Sequence, residues 1–162
     1  MRRFSRIFAW TTLFFVAGAV LFFTKAAALP YKVAWPVLLL SLATFLSRRR
    51  ELLPFGFAFL FSAAGDAVGA RGLFIPQMAF FALAHVAYVC WFLPRARRRL
   101  RAVSLAVTVP LLVFLFAAIV PEAPFPAERI GVAVYGLVIA AMLYTALQYD
   151  GACAAGFRCA AL

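Results

Sequence analysis

One carboxylic acid in this chain lies where water is scarce. Asp66 occurs in Phe61-Ser62-Ala63-Ala64-Gly65-Asp66-Ala67, whereas Glu51, Glu122, Glu128 and Asp150 fall at the edges of apolar runs or between them. An acid inside an apolar span costs about 2.5–3.5 kcal/mol on the insertion scale, so it faces protein or a water-filled cavity and marks a proton-handling or ligand site. The competing reading is an acid held by a neighbour for packing alone. His85 is the single histidine, in Ala84-His85-Val86-Ala87-Tyr88. An imidazole can act as a base, but a lone histidine on an apolar stretch is more often a hydrogen-bonded packing residue, and that is the role expected here. Lys32, Gln77, Tyr88, Tyr135 and Tyr144 are further polar side chains within or beside apolar runs that can line a site. One histidine and one buried acid do not complete a metal site, so neither a metal nor another cofactor is expected. The chain contains no GxSxG, no phosphate loop and no HExxH.

The elements that carry these residues are long apolar runs. Hydrophobic residues make up 67% of 162 positions, charged residues 13%, and the mean hydropathy is +1.02. A soluble domain of that composition would keep a largely apolar surface, whereas lipid solvates it. Runs near the required 20 residues predict six spans, at 7–24, 29–47, 52–70, 73–93, 102–120 and 130–148, and a partial seventh from 157. The expected fold is all-α, a polytopic transmembrane helix bundle forming a single membrane domain. Pro36, Pro76 and Pro110 fall inside predicted spans, where neighbours must satisfy the freed carbonyls. Gly65 and Gly69 are four apart among alanines, which lets a second helix approach closely.

Counting 1.5 Å per residue from the predicted span ends puts Asp66, Gln77 and Tyr135 in one layer about 6–7 Å deep. Lys32 can snorkel above that layer. The same count puts His85 and Tyr144 in a second layer about 20 Å deep, so a direct Asp66–His85 bond does not follow.

Charge sets orientation. Twelve of the sixteen basic residues lie on one side, in the clusters at Arg2–Arg6, Arg48–Arg50 and Arg95–Arg101 and at Arg158; Lys25, Lys32, Arg71 and Arg129 lie on the other. The positive-inside rule makes the N-terminus and the Arg95–Arg101 loop cytoplasmic. A net charge of +11 divided into short clusters between apolar runs argues for topology signals and against nucleic acid as a partner. Residues 1–28 share features with a signal peptide, but the apolar stretch is long for one and an uncleaved first helix is expected. Cys90, Cys153 and Cys159 form no CxxC pair, and Cys90 is expected to be a small buried hydrophobe.

Two stretches together resemble the lysoplasmalogenase (YhhN-type) family of membrane proteins. The first is Phe59-Leu60-Phe61-Ser62-Ala63-Ala64-Gly65-Asp66, like the family's Ser-x-x-Gly-Asp span. The second is Met78-Ala79-Phe80-Phe81-Ala82-Leu83-Ala84-His85-Val86-Ala87-Tyr88, like its Phe-x-x-Ala-His-x-x-Tyr span. The stretch from Tyr135 through Met142 to Tyr144 is a weaker match, and the likeness covers roughly residues 50–148. The family's Lys-Pro at the second span is here Lys32-Val33, with proline only at Pro36, and the tail after Gln148 looks unlike the family. The resemblance implies hydrolysis of the vinyl ether bond of a lysophospholipid substrate within the bilayer, with Asp66 catalytic and His85, Tyr88, Gln77, Lys32, Tyr135 and Tyr144 lining or supporting the site. It also implies a second acid on a later span than these residues contain, so this chain is expected to be truncated and its activity impaired. The other readings are a proton-coupled small-molecule transporter using Asp66 and a non-catalytic scaffold. The expected location is a bacterial cytoplasmic membrane.

Overall fold

The structure, a computed structural model, describes residues 10, 12–20 and 33–149. Its regular elements are helical: α1 (within residues 12–20), α2 (Ala34–Leu46), α3 (Leu53–Gly69), α4 (Phe74–Phe92), α5 (Arg101–Phe114) and α6 (Pro126–Leu147). Short 3₁₀ and π turns extend several of them. Four resulting stretches, Arg50–Gly69, Phe74–Arg95, Arg98–Glu122 and Pro126–Leu147, are long and apolar enough to cross a membrane. The chain is therefore an all-helical membrane protein.

Four of the six predicted spans, the third to the sixth, are thus borne out. As described, α2 has 13 residues, about 20 Å of helix against a hydrocarbon core of about 30 Å. The first predicted span is described only in part, and the partial seventh, Lys32, Cys153 and Cys159 lie outside the described residues. The last two long stretches start four residues earlier than predicted. Helical hydrogen bonding runs on past the apolar run into the polar layer, where Glu128 sits in the first turn of α6 and Arg129 Nε donates to Ala123 O at 2.8 Å.

The chain divides into two compact units, Met1–Ala84 and His85–Leu162, with the boundary inside α4. In the first unit small residues set the spacing. Gly56 is buried beneath the ring of Phe45, so α2 and α3 meet almost backbone to backbone, and Ser41 Oγ donates to Gly56 O at 2.9 Å. Ala43, Ala58 and Ala63 fill the rest of that interface. Arg48, just past the end of α2, turns the chain with φ +52°, a left-handed conformation that usually falls to glycine. Gly72, with φ +73°, turns the chain between α3 and α4. Pro54 and Pro76 both sit within the first turn of their helices, where no backbone donor is lost, so Pro76 produces no mid-span kink.

In the second unit the α4–α5 loop is tied to the end of α6. Arg97 N–H donates to Gln148 O at 2.9 Å, and Ala96 bridges to Tyr149. α5 carries Pro110 and then a π turn over Leu115–Ile119, an irregularity that proline and π segments ordinarily produce. Leu115 packs over Gly136 of α6, where no side chain larger than hydrogen fits. Cys90, expected to be buried, is exposed on α4: apolar character alone does not say which face of a lipid-facing helix a small residue takes.

Candidate functional site

The Gly65–Gly69 pair has a specific partner. A Cβ on Gly65 would stand 3.0 Å from Phe81 Cε1, and one on Gly69 would stand 2.5 Å from Gln77 Cδ and 2.8 Å from its Oε1. Gly65 and Gly69 are one turn apart on α3, and Gln77 and Phe81 are one turn apart on α4, so the two helices run antiparallel with matching steps. Close approach here buries Gly65 and lays the Gln77 amide across the bare backbone of α3.

Asp66 stands beside this seam and is half-buried. On its other flank lies a crevice of about 320 Å³ between Ala34, Trp35 and Leu38 of α2 and Leu60, Ala63, Ala64 and Ala67 of α3. Every lining side chain is apolar apart from the indole nitrogen of Trp35. Asp66 follows Ala63 by three residues and precedes Ala67, which puts it about 60° around α3 from Ala63, outside the lining of the crevice. Among the described residues none is seen to pair with its carboxyl by hydrogen bond or salt bridge; the one salt bridge joins Arg49 to Glu51 at 3.5 Å.

The other predicted residues gather elsewhere. The His85 ring meets Tyr135 edge-on at 5.6 Å and Tyr88 at 6.2 Å, all within the second unit. Within its own unit Tyr135 packs with His85. Counted from Pro126, Tyr135 lies nine residues into α6, about 13 Å. Tyr144 leaves the His85 layer for a crevice of about 300 Å³ between α5 and α6 that also takes in Thr108, Leu112 and Ala140. Asp66 and Gln77 belong to the first unit, and His85, Tyr88, Tyr135 and Tyr144 to the second. No group of three His, Cys, Asp or Glu side chains suited to a metal occurs among the described residues.

A cluster not anticipated from the sequence sits at the end of α4. The Arg95 guanidinium lies 4.5 Å from the centre of the Trp91 ring and donates to Trp91 O at 2.7 Å; Tyr149 packs against Trp91 at 5.3 Å and Phe92 at 5.9 Å. The i, i+4 spacing of Trp91 and Arg95 was the available signal.

The YhhN family model fits residues 28–162. The chain belongs to the YhhN family. The match extends on both sides of the stretch that the motifs mark, and it includes the segment after Gln148 that looked unlike the family. Comparison with curated proteins and with solved structures finds no match.

Proposed function

We propose that this YhhN-family protein is a membrane-embedded hydrolase that cleaves the vinyl ether bond of a lysoplasmalogen, with Asp66 as its acid. The observation that carries the reading is an apolar crevice between α2 and α3 whose α3 wall includes Ala63 and Ala67, the latter next to Asp66 in the chain. A single-chain lipid places its tail in such a crevice and its ether bond beside the acid. The reaction needs one proton donor. Asp66 delivers a proton to the outer alkene carbon, and the positive charge that develops is shared with the ether oxygen. Water adds to the carbon bonded to that oxygen and returns a proton to the carboxylate. The resulting hemiacetal collapses to a fatty aldehyde and glycerophosphocholine or glycerophosphoethanolamine, so the net consumption is one water.

α3 runs as unbroken helix from Leu53 to Gly69, through Asp66. Carriers that bind cargo near the midplane use interrupted helices at the binding point, so the continuity of α3 supports hydrolysis over transport. The distribution of arginine supports an inner-membrane orientation with the Arg95–Arg101 loop in the cytoplasm. Single-cysteine labelling at Ala96 and Ala127, in a Cys90→Ser background lacking the other cysteines, tests it; reagent reaching Ala96 from outside intact cells would reverse the assignment.

Mass spectrometry of lysoplasmalogen incubated with membranes carrying the wild-type chain or Asp66→Asn tests the hydrolase reading. Release of fatty aldehyde by wild type and its loss in Asp66→Asn is the expected result. Equal release by both removes Asp66 from the mechanism.

A further inference from the structure

We propose that the arginine-rich loop between α4 and α5 is a docking surface for the phosphate groups of anionic phospholipids, built beside the Trp91–Tyr149 ring cluster. The proposal rests neither on the hydrolase reading nor on which side of the membrane the loop faces.

The charge is dense and little offset. Arg95, Arg97, Arg98, Arg99 and Arg101 place five cations in seven residues, all of them exposed. Residues 67–121 contain no carboxylate, and Asp150, next to Tyr149 in the chain, can offset only one charge of the five. The cluster at Arg48–Arg50 is different, since Glu51 follows it directly and Arg49 Nη1 meets Glu51 Oε1 at 3.5 Å.

The position of these charges points to an outside anion. Arg98 and Arg99 form the 3₁₀ turn that leads into α5, and Arg101 is the first residue of that helix. This is the positive end of the helix dipole, where carboxylates stabilise and cations do not. α5 has no acid in its first turn and no capping side chain, whereas α6 carries Glu128 in its first turn. Cations gathered at that end repel the helix and one another, and a phosphate between them relieves both.

A topology signal needs charge and no particular shape. This loop has shape. Arg97 N–H donates to Gln148 O at 2.9 Å and Ala96 bridges to Tyr149, so the backbone that carries the arginines is tied to α6. Arg95 folds back over the Trp91 ring, which Tyr149 meets on the same cluster. Tryptophan and tyrosine settle at the headgroup level of a bilayer. Leu93, between Trp91 and the arginines, is 60% exposed, as suits a side chain facing lipid. The ring cluster therefore sets the loop at the height of the lipid phosphates. Guanidinium groups grip phosphate oxygens in pairs, and a basic cluster of this size beside a span attracts anionic lipid.

Trp91 is a built-in reporter. In the full chain, Trp10→Phe with Trp35→Phe leaves it as the single tryptophan of three. That protein is placed in phosphatidylcholine nanodiscs doped with brominated phosphatidylglycerol or, at equal mole fraction, brominated phosphatidylcholine, and quenching of Trp91 fluorescence is measured. Both leaflets have one composition, so orientation does not enter. Phosphatidylglycerol is expected to quench more strongly, with an association preference of about tenfold or more that shrinks as salt is raised. Arg98→Gln is expected to lower the preference about fivefold, and Arg98→Gln with Arg101→Gln to remove most of the remainder. Equal quenching by the two lipids overturns the proposal, and it does so in a protein whose loop is unaltered. A preference that survives undiminished in the double variant overturns it too, because the attraction then comes from elsewhere in the chain. Loss of the preference in millimolar inorganic phosphate at constant ionic strength would assign the arginines to a soluble phosphate ligand and overturn the lipid assignment.

Discussion

The two units of this chain share one way of holding polar groups, in which a side chain such as Thr44 bonds a carbonyl of its own helix, and α3 of the first unit departs from it. Around α3 in the first unit, a carboxyl and an amide stand beside a seam of glycines, between helices brought close by Gly56, Gly65 and Gly69. In the second unit, Ser104, Thr145 and Gln148 turn back on their own helices, and the Arg95 guanidinium is covered by Trp91. Thr108 Oγ1 departs from that habit, buried without a hydrogen-bond partner. Polar groups satisfied on their own helix stabilise a membrane helix but have no bond left for a ligand. The acid of the first unit keeps that capacity, at the cost of a polar group in an apolar span.

The sharpest way to break the comparison is chemical. Asp66→Asn preserves size and hydrogen bonding and removes the acid, and it is expected to lower turnover by about 10² or more. His85→Gln, in the ring cluster with Tyr88 and Tyr135, is expected to cost under about tenfold, as for a residue whose rings meet edge-on in a packing cluster. Steady-state release of fatty aldehyde from purified variants measures both. A larger loss in His85→Gln than in Asp66→Asn would move the chemistry to the second unit.

Packing offers the next test. Gly136→Ala drives a methyl into Leu115, whose Cδ1 and Cγ would each lie 3.0 Å away, on a helix already irregular at its π turn. Overpacking of this kind is expected to destabilise the chain by about 1–3 kcal/mol, read as a lower unfolding midpoint in mixed micelles. Gly69→Ala meets only the movable end of Gln77 and is expected to cost under about 0.5 kcal/mol in the same assay. Equal losses at the two glycines would mean that the α3–α4 seam is a packing element only.

Smaller effects belong to the turns and the rim. Arg48 holds a left-handed backbone at φ +52°, so Arg48→Gly is expected to gain about 1 kcal/mol. Gly72→Ala, at φ +73° with open space around it, is expected to lose a similar amount through backbone strain alone. Arg95→Ala removes a cation from the face of Trp91 and is expected to cost about 0.5–1 kcal/mol.

The amino-acid sequence by itself determined the all-helical membrane character, because spans are selected by summed hydropathy over about 20 residues and no partner is needed to compute that sum. It also determined that Asp66 is the acid to follow, because an ionisable group within such a run is conspicuous in one dimension. The Gly65–Gly69 spacing and the paired motifs were legible for the same local reason. Layering by depth was legible only in part: it brought Gln77 to the level of Asp66 within the first unit, but within the second it gave Tyr144 to His85, where the ring that meets His85 is Tyr135. Helix ends run past the apolar residues into the polar layer, and an error of one turn at Pro126 moves every residue of α6 by about 6 Å. Tertiary structure alone decided that Gly69 receives Gln77, that Gly65 receives Phe81, and that an apolar crevice opens between α2 and α3. Those pairings depend on which face each helix turns to its neighbour, and in lipid, where both faces are apolar, hydropathy carries almost no information about rotation.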